Sequence, residues 1–219
     1  MKTGWTAAIG LGLLLGAVPA NGGTGGRNGA ATRAAAPPRV EAAEVTGAMA
    51  IRLDGDFGEA IWTRAVPVTA FLQRDPKEGA APSFPSEVRV AYDTSYIYVA
   101  VRAFDNEPGR IVGIRTRRDS PSPSDWIRVV IDSYHDRRTA YEFAVNPAGV
   151  KQDRYWFADG NNDPGWDAVW DVSVARDADG WKAEFRIPFS QLRFETGKRD
   201  TFGFGVVREI GRASCRERV

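Results

Sequence analysis

Aromatic rings and hydrogen-bonding side chains crowd together between Tyr155 and Trp170. Tyr155, Trp156, Trp166 and Trp170 surround a polar run, Asp159-Gly160-Asn161-Asn162-Asp163. Aromatic faces are apolar, whereas amides and carboxylates exchange hydrogen bonds with hydroxyls. Together they suit a pyranose ring, whose C–H faces are apolar and whose edges are hydroxylated. Trp156 and Trp166 are the pair chosen to hold such a ring, with Tyr155 and Asn161 beside them. Trp170, Trp62 and Trp181 are read as core. Upstream, Arg117 and Arg118 precede Asp119. Guanidinium groups there either bridge loops through carboxylates or line a polar rim that meets a ligand.

Other chemistries find less support. Asp159, Asn161 and Asp163 alternate as in an oxygen-rich calcium loop, but the glycine falls at Gly165, one residue late, and Trp170 stands where the closing Glu belongs. They are weak calcium candidates, and the same acids serve as turn formers, accepting local backbone hydrogen bonds. Apart from a structural calcium ion, no cofactor is expected. The single histidine, His135, sits in a charged turn with Asp136, Arg137 and Arg138. No serine elbow, zinc-binding histidine pair or phosphate loop appears. Asp119 and Asp125 could supply the two carboxylates of a glycosidase, yet nothing in their spacing assigns them to one cleft.

The elements that must position these residues are strands. From Asp125 to Val150, Ile127, Val129 and Ile131 alternate with Arg128 and Asp132, and Tyr141, Phe143 and Val145 alternate with Glu142 and Asn146. This period of two predicts an antiparallel pair joined through His135 to Arg138. Further hairpins are predicted for 87–92 with 96–104, around Asp93-Thr94-Ser95, and for 170–175 with 181–187, around Asp177-Ala178-Asp179-Gly180. Residues 50–53 are read as a strand and 59–62 as a helical turn seating Trp62. Phe202, Phe204 and Val206 form a last strand, whose Gly203 and Gly205 face should lie under something bulky. The fold class is all-β, a two-sheet antiparallel β-sandwich spanning 39–210.

Both ends read differently from this domain. Residues 1–20 have the pattern of a signal peptide: Lys2, an apolar run from Ala7 to Val18, and a small-residue site at Val18-Pro19-Ala20. Residues 21–38 form a Gly/Ala/Pro-rich spacer with nothing large to bury. Residues 211–219 drop the alternation, contain the only cysteine, Cys215, and resemble a translated sequencing adapter, so they are read as a non-native tail on a truncated chain. Without leader and tail the formal charge falls from +1 to −2, opposite to what a phosphate-binding surface needs, so a nucleic-acid partner is excluded.

Several ordered blocks resemble carbohydrate-binding module family 9-like domains: LDGDFGEAIW, EVRVAYDTSYIYVAVRAFDNEP, the Arg117-Arg118-Asp119 triplet, DWIRVVIDSYHDRRTAYEFAVNPAGVKQD, WDAVW and GWKAEFRIPFSQLRF. The subgroup it most resembles carries this module after a signal peptide and before an outer-membrane β-barrel. The resemblance implies a sandwich, a saccharide ligand, a structural calcium ion as in some members, in the 159–163 loop or near Asp54 and Asp56, and a periplasmic, outer-membrane-associated or extracellular location. It does not carry the family's best-known sugar contacts: Ser122 stands where a tryptophan is expected, and Arg128 where an acidic contact is. Three readings follow, in order: a non-catalytic saccharide-binding domain, an interaction domain preceding an outer-membrane barrel, and a glycoside hydrolase fragment. Any hydrolysis would belong to a further domain.

Overall fold

The computed structural model describes residues 39–47, 50–158, 160–194, 201–213 and 215–219, with backbone alone for 6–8, 213 and 215. The spacer 21–38, the rest of the leader and Asp159 lie outside the described residues. Fourteen strands are described: β1 (Thr6–Ala8), β2 (Arg39–Glu41), β3 (Ala43–Glu44), β4 (Leu72–Asp75), β5 (Ser86–Tyr92), β6 (Tyr96–Phe104), β7 (Trp126–Asp132), β8 (Ala140–Val145), β9 (Lys151–Phe157), β10 (Asn161–Asp163), β11 (Asp171–Asp177), β12 (Gly180–Pro188), β13 (Gly203–Ile210) and β14 (Cys215–Arg218). One short helix, α1 (Ala60–Arg64), lies between β3 and β4.

These strands make two sheets. The larger runs β10-β9-β8-β7-β13-β1-β2, with β14 and β4 continuing beside β13, and the smaller runs β11-β12-β6-β5-β3. All pairings are antiparallel except β1 with β13 and β3 with β5. The predicted hairpins are β5–β6, β7–β8 and β11–β12, each beginning and ending within a few residues of its expected bounds. Their inward side chains, among them Val99, Val101, Ile127, Val129, Tyr141, Phe143, Val145, Ala183 and Phe185, fuse into one core between the sheets. Trp170 stacks on Phe185 at 5.7 Å and meets Phe143 edge-on at 5.4 Å, so it links the two layers.

A second, smaller cluster covers the outer side of the small sheet. α1 places Ile61 and Trp62 on Ala91, Tyr98 and Ala100. The Trp62 indole N–H donates to Glu184 Oε1 at 3.0 Å, while Glu184 Oε2 accepts the backbone N–H groups of Asp54 and Gly55. Gly55 has φ +84°, and an added Cβ would sit 3.0 Å from the Val174 carbonyl carbon. Residues 50–53, read as a strand, pair with no strand among the described residues. Their path is set by side chains instead: Arg52 N–H donates to Glu59 and its guanidinium clasps Asp54.

Two other features depart from expectation. Residues 151–157, for which no element is predicted, form the seven-residue strand β9. Among the described residues the Gly203 and Gly205 face carries no bulky cover: a Cβ on Gly203 would meet the Asp132 side chain, and one on Gly205 the Val219 carbonyl at 3.5 Å. Within 211–219, Cys215–Arg218 forms β14, paired with β13 and β4. Part of the leader segment, Thr6–Ala8, pairs with β2.

Candidate functional site

β9 decides where the aromatic residues go. In a strand, neighbouring side chains point to opposite faces. Gln152, Arg154 and Trp156 therefore share one face, opposite Ala144, Glu142 and Ala140 of β8. Asp153, Tyr155 and Phe157 share the other, opposite Phe143 and Tyr141. Phe143 and Tyr141 belong to the core, so Tyr155 lies on the inner face and Trp156 on the outer. Trp166 joins the inner set, 5.0 Å from Tyr141 and 5.8 Å from Phe143. Trp156 and Trp166, chosen as the two walls of one clamp, are thus separated by the sheet.

On the outer face Trp156 is half-buried and belongs to a charged network. Its indole N–H donates to Glu142 Oε2 at 2.9 Å. The other Glu142 oxygen accepts from Arg128 at 2.8 Å, and Arg128 also donates to Gln152 Oε1 at 3.4 Å and Glu209 Oε2 at 3.3 Å. Glu142 is nearly covered, with 6% of its side chain exposed, whereas Arg128 and Glu209 keep 17% and 23%. The carboxylate holds indole and guanidinium at a fixed angle through charge-assisted bonds. Trp126 backs the network, 5.4 Å from the Arg128 guanidinium, with its own N–H on the Ser122 carbonyl. An indole face beside a guanidinium, an amide and a carboxylate can stack on one side of a pyranose and bond its edge. Arg128 and Glu142 are the polar alternates of β7 and β8, so the period of two carried the signal for them; nothing in the sequence said that they meet Trp156.

The inner-face set lies at the end of the sandwich. Tyr155 and Phe157 are nearly parallel, 6.0 Å apart with 18° between planes. β10 pairs with β9 so that Asp163 faces Tyr155, Asn162 faces Trp156 and Asn161 faces Phe157. Asn161 donates to the Ala158 carbonyl and Asp163 Oδ1 accepts from Gly165 N–H, both local turn bonds. Among the described residues no cluster of three metal-ligating side chains occurs, and the third member of the calcium reading, Asp159, lies outside them. Asp56 bonds Lys182 at 2.8 Å.

Arg118 bridges several segments through carboxylates. Its guanidinium pairs with Asp153 at 2.5 Å and Asp167 at 2.7 Å and donates to the Ala168 carbonyl. Asp153, fully buried, accepts the Ala168 N–H at 2.6 Å, and Asp119 Oδ1 accepts the Asp153 N–H. One arginine thus ties the 117–119 loop, β9 and the segment before β11. Arg117 is exposed. A groove of about 400 Å³ opens nearby, lined by Arg115, Thr116, Arg118 and 148–151. Two of its cations are already engaged: Arg118 as above, and Lys151 by the Trp170 carbonyl at 2.6 Å and the Trp170 ring at 4.8 Å.

Asp119 and Asp125 have different surroundings. Burial raises both carboxyls, but Asp119 sits by Arg118, Asp153 and Asp167, and Asp125 accepts the N–H groups of Val112 and Gly211 near Arg208 and Arg212. The structure does not bring them together around a groove. His135 occupies the turn after β7, at φ 51°.

The matches with known proteins agree with this architecture. A family profile, Carbohydrate family 9 binding domain-like, matches residues 53–209. The chain belongs to that family. Two solved structures share the fold: a carbohydrate binding module family 9 from Caldicellulosiruptor kristjanssonii in complex with cellotriose, at 16% identity and TM-score 0.55 over 80% of each chain, and one from the same organism in complex with glucose, at 16% identity and TM-score 0.55 over 81% of this chain and 84% of the other. No curated protein matches the sequence.

Proposed function

We propose that this domain is a non-catalytic saccharide-binding module of an exported protein, and that the sugar rests on the outer face of the large sheet against Trp156. The observation that carries this reading is the indole itself: half-buried, held by Glu142, and linked through that carboxylate to Arg128. Family membership and the cellotriose and glucose complexes of its structural relatives support the ligand class. Export rests on the apolar run from Ala7 to Val18. Calorimetric titration with cellotriose tests the binding. Trp156→Ala should weaken it at least tenfold, about 1.4 kcal/mol, while the variant stays folded by circular dichroism, and cellotriose should emerge uncleaved. Equal affinity in wild type and variant would remove Trp156 from the site, and no heat from any neutral oligosaccharide would remove the sugar.

A further inference from the structure

We infer a second saccharide subsite on the opposite face of β9, formed by Tyr155, Phe157 and Trp166 with Asn161 and Asp163. It rests on the sugar-binding reading and adds a separate place to it. Tyr155 and Phe157 stand two residues apart on one strand face, and their near-parallel planes make a continuous apolar strip. Phe157 is 39% exposed and so forms the open end, while Tyr155 leans on Tyr141 at 5.2 Å. Trp166, packed on Tyr141, borders the inner end.

The cross-strand neighbours distinguish this strip from a plain cover of the sandwich end. Residues opposite one another in an antiparallel pair hold their Cβ atoms about 4.5–5.5 Å apart. The two rings therefore have an exposed carboxylate, Asp163, and an exposed amide, Asn161, at their sides. Asn161 spends one donor on the Ala158 carbonyl, which orients the amide and leaves its oxygen and second N–H for hydroxyls. Asp163 is aimed in the same way by the Gly165 N–H. Two ring faces, each with a hydrogen-bonding group at its edge, fit two consecutive sugar units lying along β9. The carboxylate selects a neutral saccharide over a uronate, whose negative charge it would repel.

Titration of the full chain with cellotriose, xylotriose and mannotriose decides the matter. Wild type should show two sites for at least one of them. Phe157→Ala should remove one site and Trp156→Ala the other. Asn161→Ala, on an exposed side chain and with both rings intact, should weaken the strip site about fivefold. Circular dichroism melts check that each variant is folded. A single site in wild type, indifferent to Phe157→Ala and Asn161→Ala but lost in Trp156→Ala, overturns the second subsite and leaves the first. A single site lost in Phe157→Ala and kept in Trp156→Ala supports the strip and overturns the outer-face reading. Absence of binding by all three sugars overturns both.

Discussion

Two charged side chains hold distant segments in place, and each makes a measurable prediction. Arg118 is the counter-ion of Asp153, whose carboxylate is fully buried. Removing one partner of a buried pair strands the other, which costs about 3–5 kcal/mol; the 35% exposure of Arg118 puts Arg118→Ala near 3 kcal/mol, read from urea unfolding. Glu184 makes its prediction through pH. Burial, aided by the charge of Glu59, pushes its carboxyl up to about 7 despite the three N–H donors aimed at it. The folded state therefore holds that proton more tightly than the unfolded chain. The contribution of Glu184 is fully present below about 4.5 and fades as the pH rises through about 7. Melting temperature should accordingly fall across that interval in wild type, and Glu184→Gln should flatten this part of the profile. The aromatic residues show where reading residues one at a time stops. Trp156 and Trp166 are close in sequence and chemically alike, but only the knowledge that 151–157 is a strand reveals that they point apart.

At the scale of elements, hairpins were legible wherever local alternation and turn residues agreed. β5–β6, β7–β8 and β11–β12 all follow from a period of two flanking Asp, Gly or Asn turns. Residues 50–53 carry a similar apolar–polar rhythm and form no strand, because Glu59 and Glu184, the latter 130 positions away, take up the backbone N–H groups of 52, 54 and 55. Long-range side-chain acceptors of that kind leave no periodic trace. β9 was hidden for another reason. Its two faces are both polar and aromatic, so neither alternation nor a continuous apolar run marks it. Gly180 is the tightest joint of the small sheet: at φ +140°, its added Cβ would fall 2.1 Å from the Ala103 carbonyl oxygen. Gly180→Ala should lower stability by about 2–4 kcal/mol through left-handed strain and overpacking, seen as a lower urea midpoint.

For the molecule as a whole, the sandwich and its core were readable because nearly every inward position in the predicted strands is apolar. The binding surface was only half readable, since a surface is defined by which face each side chain takes. Among the described residues Trp170 and Trp181 are buried between the layers, Trp62 and Trp126 are buried on the outer sides of the sheets, and Trp156 and Trp166 are half-covered. The back-to-back arrangement on β9 has a consequence for polymers. Two sites facing opposite ways cannot close on one stiff chain, so they provide no avidity on a single strand. They form a cross-link instead. Mixed with a long soluble glucan, the domain should thicken the solution, and losing either Trp156 or Phe157 should return it to the viscosity of the polysaccharide alone.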